Sequence, residues 1–103
     1  MKHLIALSTL LFALNASAEC PSSKPTEMPA IPAGPAANEE TMRGAGVAVQ
    51  AYVANIETYL NCRDMELTDR SYNELVERAI AAADAYNREL RLYQRQGKVL
   101  AKN

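Results

Sequence analysis

Apolar positions recur at steps of three and four along two long stretches of the chain, and a third stretch has no period at all. Met42, Ala45, Val49, Tyr52, Val53, Ile56, Tyr59 and Leu60 form the first run; Tyr72, Leu75, Val76, Ala79, Ala82, Ala83, Tyr86, Leu90 and Tyr93 form the second. Such spacing keeps one face of an α-helix apolar, so it predicts helices over residues 38–63 and 69–96. Asn38 can cap the first helix, with Thr41 as a competing cap, and Glu39 and Glu40 suit the positive end of the helix dipole. Gly44 and Gly46 weaken that helix by about 1 kcal/mol each, which calls for a packing reason. Gly44, Ala48 and Ala51 share a face on which another backbone could come close.

Asp64 to Asp69 is polar and short, a connection of the length helical hairpins use. Ser71-Tyr72-Asn73-Glu74 has the pattern of a capping box, while Thr68 or Asp69 could start the second helix a turn earlier. Gly97 offers a C-terminal stop, and Glu74/Arg78 and Asp84/Arg88 are acid-before-base pairs at four-residue spacing. Folding the helices antiparallel about Met65–Leu67 opposes residues whose numbers sum to 132 or 133. Ile56 then meets Val76, Met42 meets Leu90, and the bulky Tyr52 and Val53 face the small residues from Ala79 to Ala83. The fold class expected is all-α: a two-helix antiparallel hairpin of coiled-coil character.

The stretch without a period, residues 19–37, carries all five prolines and Gly34, which exclude helix and central strand. It reads as an extended arm, with Met28 and Ile31 available for apolar contacts and Cys20 near its start. Cys20 and Cys62 are the only cysteines. A hairpin leaves one side of each apolar stripe open, so it needs a third element or a second copy of itself. The arm can be that element: the first helix is about 36 Å long, and the arm reaches about 53 Å at polyproline rise, enough to bring Cys20 back to Cys62. All five tyrosines, Tyr52, Tyr59, Tyr72, Tyr86 and Tyr93, fall on or beside the helical stripes. They can hold prolines of the arm against their rings, or line the edge of a thin core with hydroxyls outward; the two roles are compatible.

Residues 1–18 change the picture of compartment. Lys2 and His3, the apolar run Leu4–Leu14 and the closing Ala16-Ser17-Ala18 read as a signal peptide cleaved before Glu19. The run is too short for a membrane-spanning helix, so no transmembrane anchor is expected after cleavage. Glu19 sits where lipidation of Cys20 would need a small residue. A paired disulfide fits the periplasm or a secreted location.

Beyond the leader there is no histidine, and ten basic residues stand against twelve acidic ones, which gives no general electrostatic reason to bind nucleic acid. Two cysteines 42 positions apart without histidine fit a disulfide and no zinc pattern. Glu57 and Glu74 come near the loop end of the hairpin but lack an apolar pocket to make them acid or base catalysts. No catalytic residue, cofactor or metal is therefore expected, and the chain reads as a non-enzyme. Arg88, Arg91, Arg95, Lys98 and Lys102 make a basic end opposed only by Glu89. Attraction of cations to the helix C-terminus accounts for most of it without any partner, and the functional alternative is docking to an acidic surface such as anionic lipid headgroups or a protein patch.

Cys20-Pro21, Met28-Pro29-Ala30-Ile31-Pro32-Ala33-Gly34 and Tyr59-Leu60-Asn61-Cys62 together resemble a group of small exported proteobacterial proteins. The resemblance covers residues 20–62 and implies the topology of arm, helix and cysteine pair; it carries over no catalytic residues. The function expected is that of a small periplasmic interaction or structural module, working through a helical face on an envelope protein or as a homodimer. Tyr86, Leu90, Arg91, Tyr93 and Arg95 are its candidate partner face. The alternative is a holdase-like chaperone or carrier that uses the apolar groove of the hairpin.

Overall fold

Two long helices lie side by side, and an extended segment returns along one flank to a disulfide at the bend. The computed structural model of the chain describes residues 20–21 and 23–102, with side chains through residue 98. The expected leader and its cleavage site lie outside these residues. In chain order come a single 3-10 turn at Gly34–Ala36, helix α1 at Glu39–Arg63 and helix α2 at Asp69–Lys102. No strand occurs among the described residues.

Helix α1 starts where a short polar side chain can satisfy an orphan amide. Asn38 has extended backbone angles, and its Oδ1 accepts the Thr41 N–H at 2.8 Å, with Glu39 and Glu40 following in the first turn. Helix α2 uses Thr68 in the same role: its Oγ1 accepts the Ser71 N–H at 3.1 Å, and its carbonyl accepts the Tyr72 N–H at 2.9 Å. The cap thus lies one turn before the Ser71–Glu74 pattern. Glu74 turns outward to pair with Arg78 at 3.1 Å. Asp84 and Arg88 do not pair; Arg88 Nε reaches its neighbour Glu89 instead, at 3.5 Å.

Gly97 does not stop α2, which continues to Lys102. A glycine ends a helix when the next carbonyls find partners in a left-handed turn. Here no described residue has a positive φ, so the glycine is carried within the helix at a propensity cost of about 1 kcal/mol.

The core is one seam. Val49, Tyr52, Ile56 and Leu60 of α1 and Leu75 and Ala82 of α2 are buried together, and Met42 and Ala45 continue the buried stripe toward the start of α1. The small Ala82 lies in the seam with the bulky Tyr52, as the size matching expected. One recess holds Ile56 and Val76 beside Val53 and Ala79, and another holds Gly46 and Val49 beside Tyr86 and Ala83, so the antiparallel register near 132 is present along the hairpin. Tyr86 marks its far end by donating its hydroxyl to the Met42 carbonyl at 3.1 Å. Gly46 makes room for that ring, since a Cβ there would lie 2.7 Å from the Tyr86 hydroxyl oxygen. Gly44 has no such reason: nothing lies within 4 Å of a Cβ built on it, so no backbone comes close at this position.

The arm is clipped at both ends. At the bend, Cys20 and Cys62 form a disulfide with Cα atoms 5.6 Å apart. Beside it, Arg63 Nε donates to the Pro21 carbonyl at 3.1 Å, and one terminal nitrogen binds Glu66 at 3.0 Å. The same guanidinium sits 5.7 Å from the Tyr59 ring centre. Farther along, Ile31 packs against the core, and Pro29–Pro32 lie over Thr41, Gly44, Ala45 and Ala48 of α1. At the other end the buried Gly34 touches α2: its N–H donates to Glu89 Oε1 at 2.9 Å. A Cβ on Gly34 would overlap the Glu89 carbonyl oxygen and lie 2.8 Å from the Tyr93 nitrogen. Backbone meets backbone here, which only glycine permits.

Candidate functional site

Helical geometry divides the hairpin into two sides. At about 100° per residue, Thr41, Gly44, Ala48 and Tyr59 lie to one side of the buried α1 stripe, while Gly46, Gln50, Val53, Ala54 and Glu57 lie to the other. The first side carries the arm. The second is open to solvent and forms two adjoining shallow recesses of about 390 and 370 Å³, both bordered by Val53, Glu57 and Ala83. One reaches from Gly46 and Val49 to Tyr86 and Asn87; the other reaches from Ile56 and Leu60 to Tyr72, Val76 and Ile80.

Large apolar side chains stand unshielded on this side. Ile80 is 55% exposed and Tyr72 is 38% exposed, although both belong to a helix that already buries a seam. Isolated exposed apolar residues are ordinary, but here Val53, Ala54, Tyr72, Val76 and Ile80 border one continuous trough. Polar groups along it are sparse: Gln50, Glu57, Asn61 and Asn87. The trough has the form of a seat for another helix, apolar along its floor and polar along its edges.

The five residues expected as a partner face are not on one surface. Tyr86 is half-buried and engaged with Met42; Leu90 and Tyr93 are half-buried, and the Tyr93 backbone lies against Gly34. Arg91 and Arg95 are exposed on another side of α2. Tyrosine spacing alone did not separate rings that pack inward from rings that face out. What the periodic reading missed is Ile80, and a signal for it existed: it is large, apolar and off the main stripe of its helix.

Catalytic chemistry finds little to build on among the described residues. Glu57 borders the open trough while Glu74 lies in a separate recess with Arg70, Asn73 and Glu77, so the two carboxylates do not share a site. No group of three His, Cys, Asp or Glu side chains able to hold a metal ion occurs among the described residues. Both cysteines are in the disulfide. No described helix is long and apolar enough to cross a membrane. No protein-family model, no curated protein and no solved structure matches the chain.

Proposed function

We propose that the protein is a non-enzymatic module of the bacterial envelope, exported to the periplasm, that works by seating an apolar helix face in the open side of its hairpin. One observation carries this reading: the arm covers one side of the seam and leaves the other side uncovered, with Ile80 and Tyr72 exposed at the trough. The disulfide, which persists in oxidising compartments, supports the location. Shallow, open recesses fit a rigid helix better than a small ligand, because pockets for small molecules enclose most of the ligand surface. The carrier alternative is correspondingly weaker, since the arm already fills the side on which an enclosed groove could form.

Site-specific photo-crosslinking in cells tests it. A photoreactive amino acid at Ala54 or Ile80 is expected to give discrete protein adducts, and one at Ala45, buried on the arm side, is expected to give none. Absence of any adduct from both exposed positions would refute the reading.

A further inference from the structure

The charges on α2 identify what covers the open side. Glu77, Asp84, Arg91 and Lys98 follow one another at seven-residue steps, so they lie along a single stripe on the outer face of α2, next to the exposed Ile80. Two acids come first and two bases second. All four are exposed, and none is paired with another described residue. Such a stripe opposes itself when two copies of α2 pack antiparallel: Glu77 meets Lys98 of the second copy, and Asp84 meets Arg91 of the second copy. Both pairings place the two-fold axis between Asn87 and Arg88. In a parallel pairing each charge would instead meet its own kind.

A second feature requires the same register. With the hairpin register near 132, α1 begins opposite Tyr93, so α2 extends past it for nine residues, about 14 Å of helix with no α1 beside it. An axis between Asn87 and Arg88 lays this overhang along α2 of the second copy from residue 73 to residue 81. That is where Val76 and Ile80 line the trough. The unsupported helix end of each copy therefore covers the exposed apolar recess of the other. The basic end noted in the sequence also finds its acidic surface in the Glu74, Glu77 and Asp84 stretch of its twin.

We propose that the protein is an antiparallel homodimer in which α2 packs on α2 across the open side of the hairpin, about a two-fold axis between Asn87 and Arg88. This rests on the reading that the open side seats a helix, and it names that helix. Apolar contact along the trough supplies the affinity, and the charge stripe sets orientation and excludes the parallel arrangement.

Sedimentation equilibrium of the oxidised protein is expected to show a dimer at ~200 µM, with Kd in the micromolar range or below. Asp84→Arg and Arg91→Asp, each at an exposed position, are each expected to weaken association by roughly tenfold or more, because each creates like-charge pairs twice across the axis. The variant carrying both changes reverses the two Asp84–Arg91 pairs, leaves the Glu77–Lys98 pairs as they are, and is expected to recover to within about threefold of the original affinity. A zero-length carbodiimide should join the peptide containing Glu77 to the one containing Lys98 between isotopically distinct copies. A monomer at ~200 µM overturns the dimer, as does a doubly changed variant no tighter than the singly changed ones. If the protein is monomeric while Ile80 still crosslinks to a different protein, the dimer falls and the proposed function stands.

Discussion

Cys62→Ser is expected to lower the melting temperature by more than roughly 10 °C. The disulfide closes a loop spanning 43 residues, from Cys20 to Cys62, and in the chain-entropy view the loss of that closure favours the unfolded chain by about 4 kcal/mol. In a domain of this size each 1 kcal/mol shifts the midpoint by about 4–8 °C. The loss is large beside a typical stability of about 5–15 kcal/mol, because the hydrophobic seam is thin and, among the described residues, only Ile56 and Leu75 are large side chains buried almost completely. Arg63 does not replace the covalent link: its bond to the Pro21 carbonyl is worth about 1 kcal/mol and has to hold an arm that is otherwise free to leave. Calorimetry of the variant beside the oxidised protein is the check. A midpoint within about 3 °C of the original would show that the loop contributes little.

Gly34→Val is expected to undock the far end of the arm at a stability loss of about 1–3 kcal/mol, the range for forcing extra atoms into a packed site. The new Cβ would overlap the Glu89 carbonyl oxygen, and neither neighbour can yield, because both are backbone within α2. Loss of the Gly34 N–H bond to Glu89 follows, leaving a carboxylate whose side chain is 19% exposed without its backbone donor. The cost has a ceiling. With Cys20 still tied to Cys62, the arm gives up only its own contacts and the hairpin seam persists. The variant should therefore melt within a few degrees to about 20 °C below the original, retain its helical circular dichroism and become sensitive to proteases between Lys24 and Ala37. An unchanged melting temperature and an intact arm would show that Gly34 does not touch α2.

The two effects act on different states. The disulfide acts on the unfolded chain, whereas Gly34 acts on the folded one. Together they make the arm a fixed third element, which is why one side of the hairpin is closed and the other is not.

Much of the fold was legible in the run of apolar positions. Steps of three and four located α1 and α2, the short connection about Met65–Leu67 set the register, and opposing Tyr52 and Val53 to the alanines around Ala82 agreed with it, because bulky side chains need small ones across a thin seam. The cysteine pair and the reach of the arm led to the clip at the bend. Local signals were less certain where two chemically equivalent choices stood close together. Thr68 and Ser71 can both cap, and the helix took the earlier one since that adds a turn of backbone bonding. Gly97 looked like a stop, but a glycine ends a helix only when the following chain turns away, and the residues after it continue as helix.

The site was harder to read for a physical reason. Tyr86, Leu90 and Tyr93 are amphipathic or apolar residues at stripe positions, and sequence alone cannot divide such residues between the seam and a surface. The arm decides it: by pressing Gly34 against Glu89 and Tyr93 it closes that flank of α2 and leaves the trough beside Val53, Val76 and Ile80 as the exposed one. Gly34 could have indicated as much, since a lone glycine among prolines in an extended segment needs a close approach to justify it.

Amide hydrogen exchange along residues 23–37 of the oxidised protein tests most directly whether the arm is docked. The Gly34 amide, bonded to Glu89, and the Ala36 and Ala37 amides of the 3-10 turn are expected to exchange at least roughly tenfold more slowly than in a free peptide. Exchange of all three at the free-peptide rate would contradict the account.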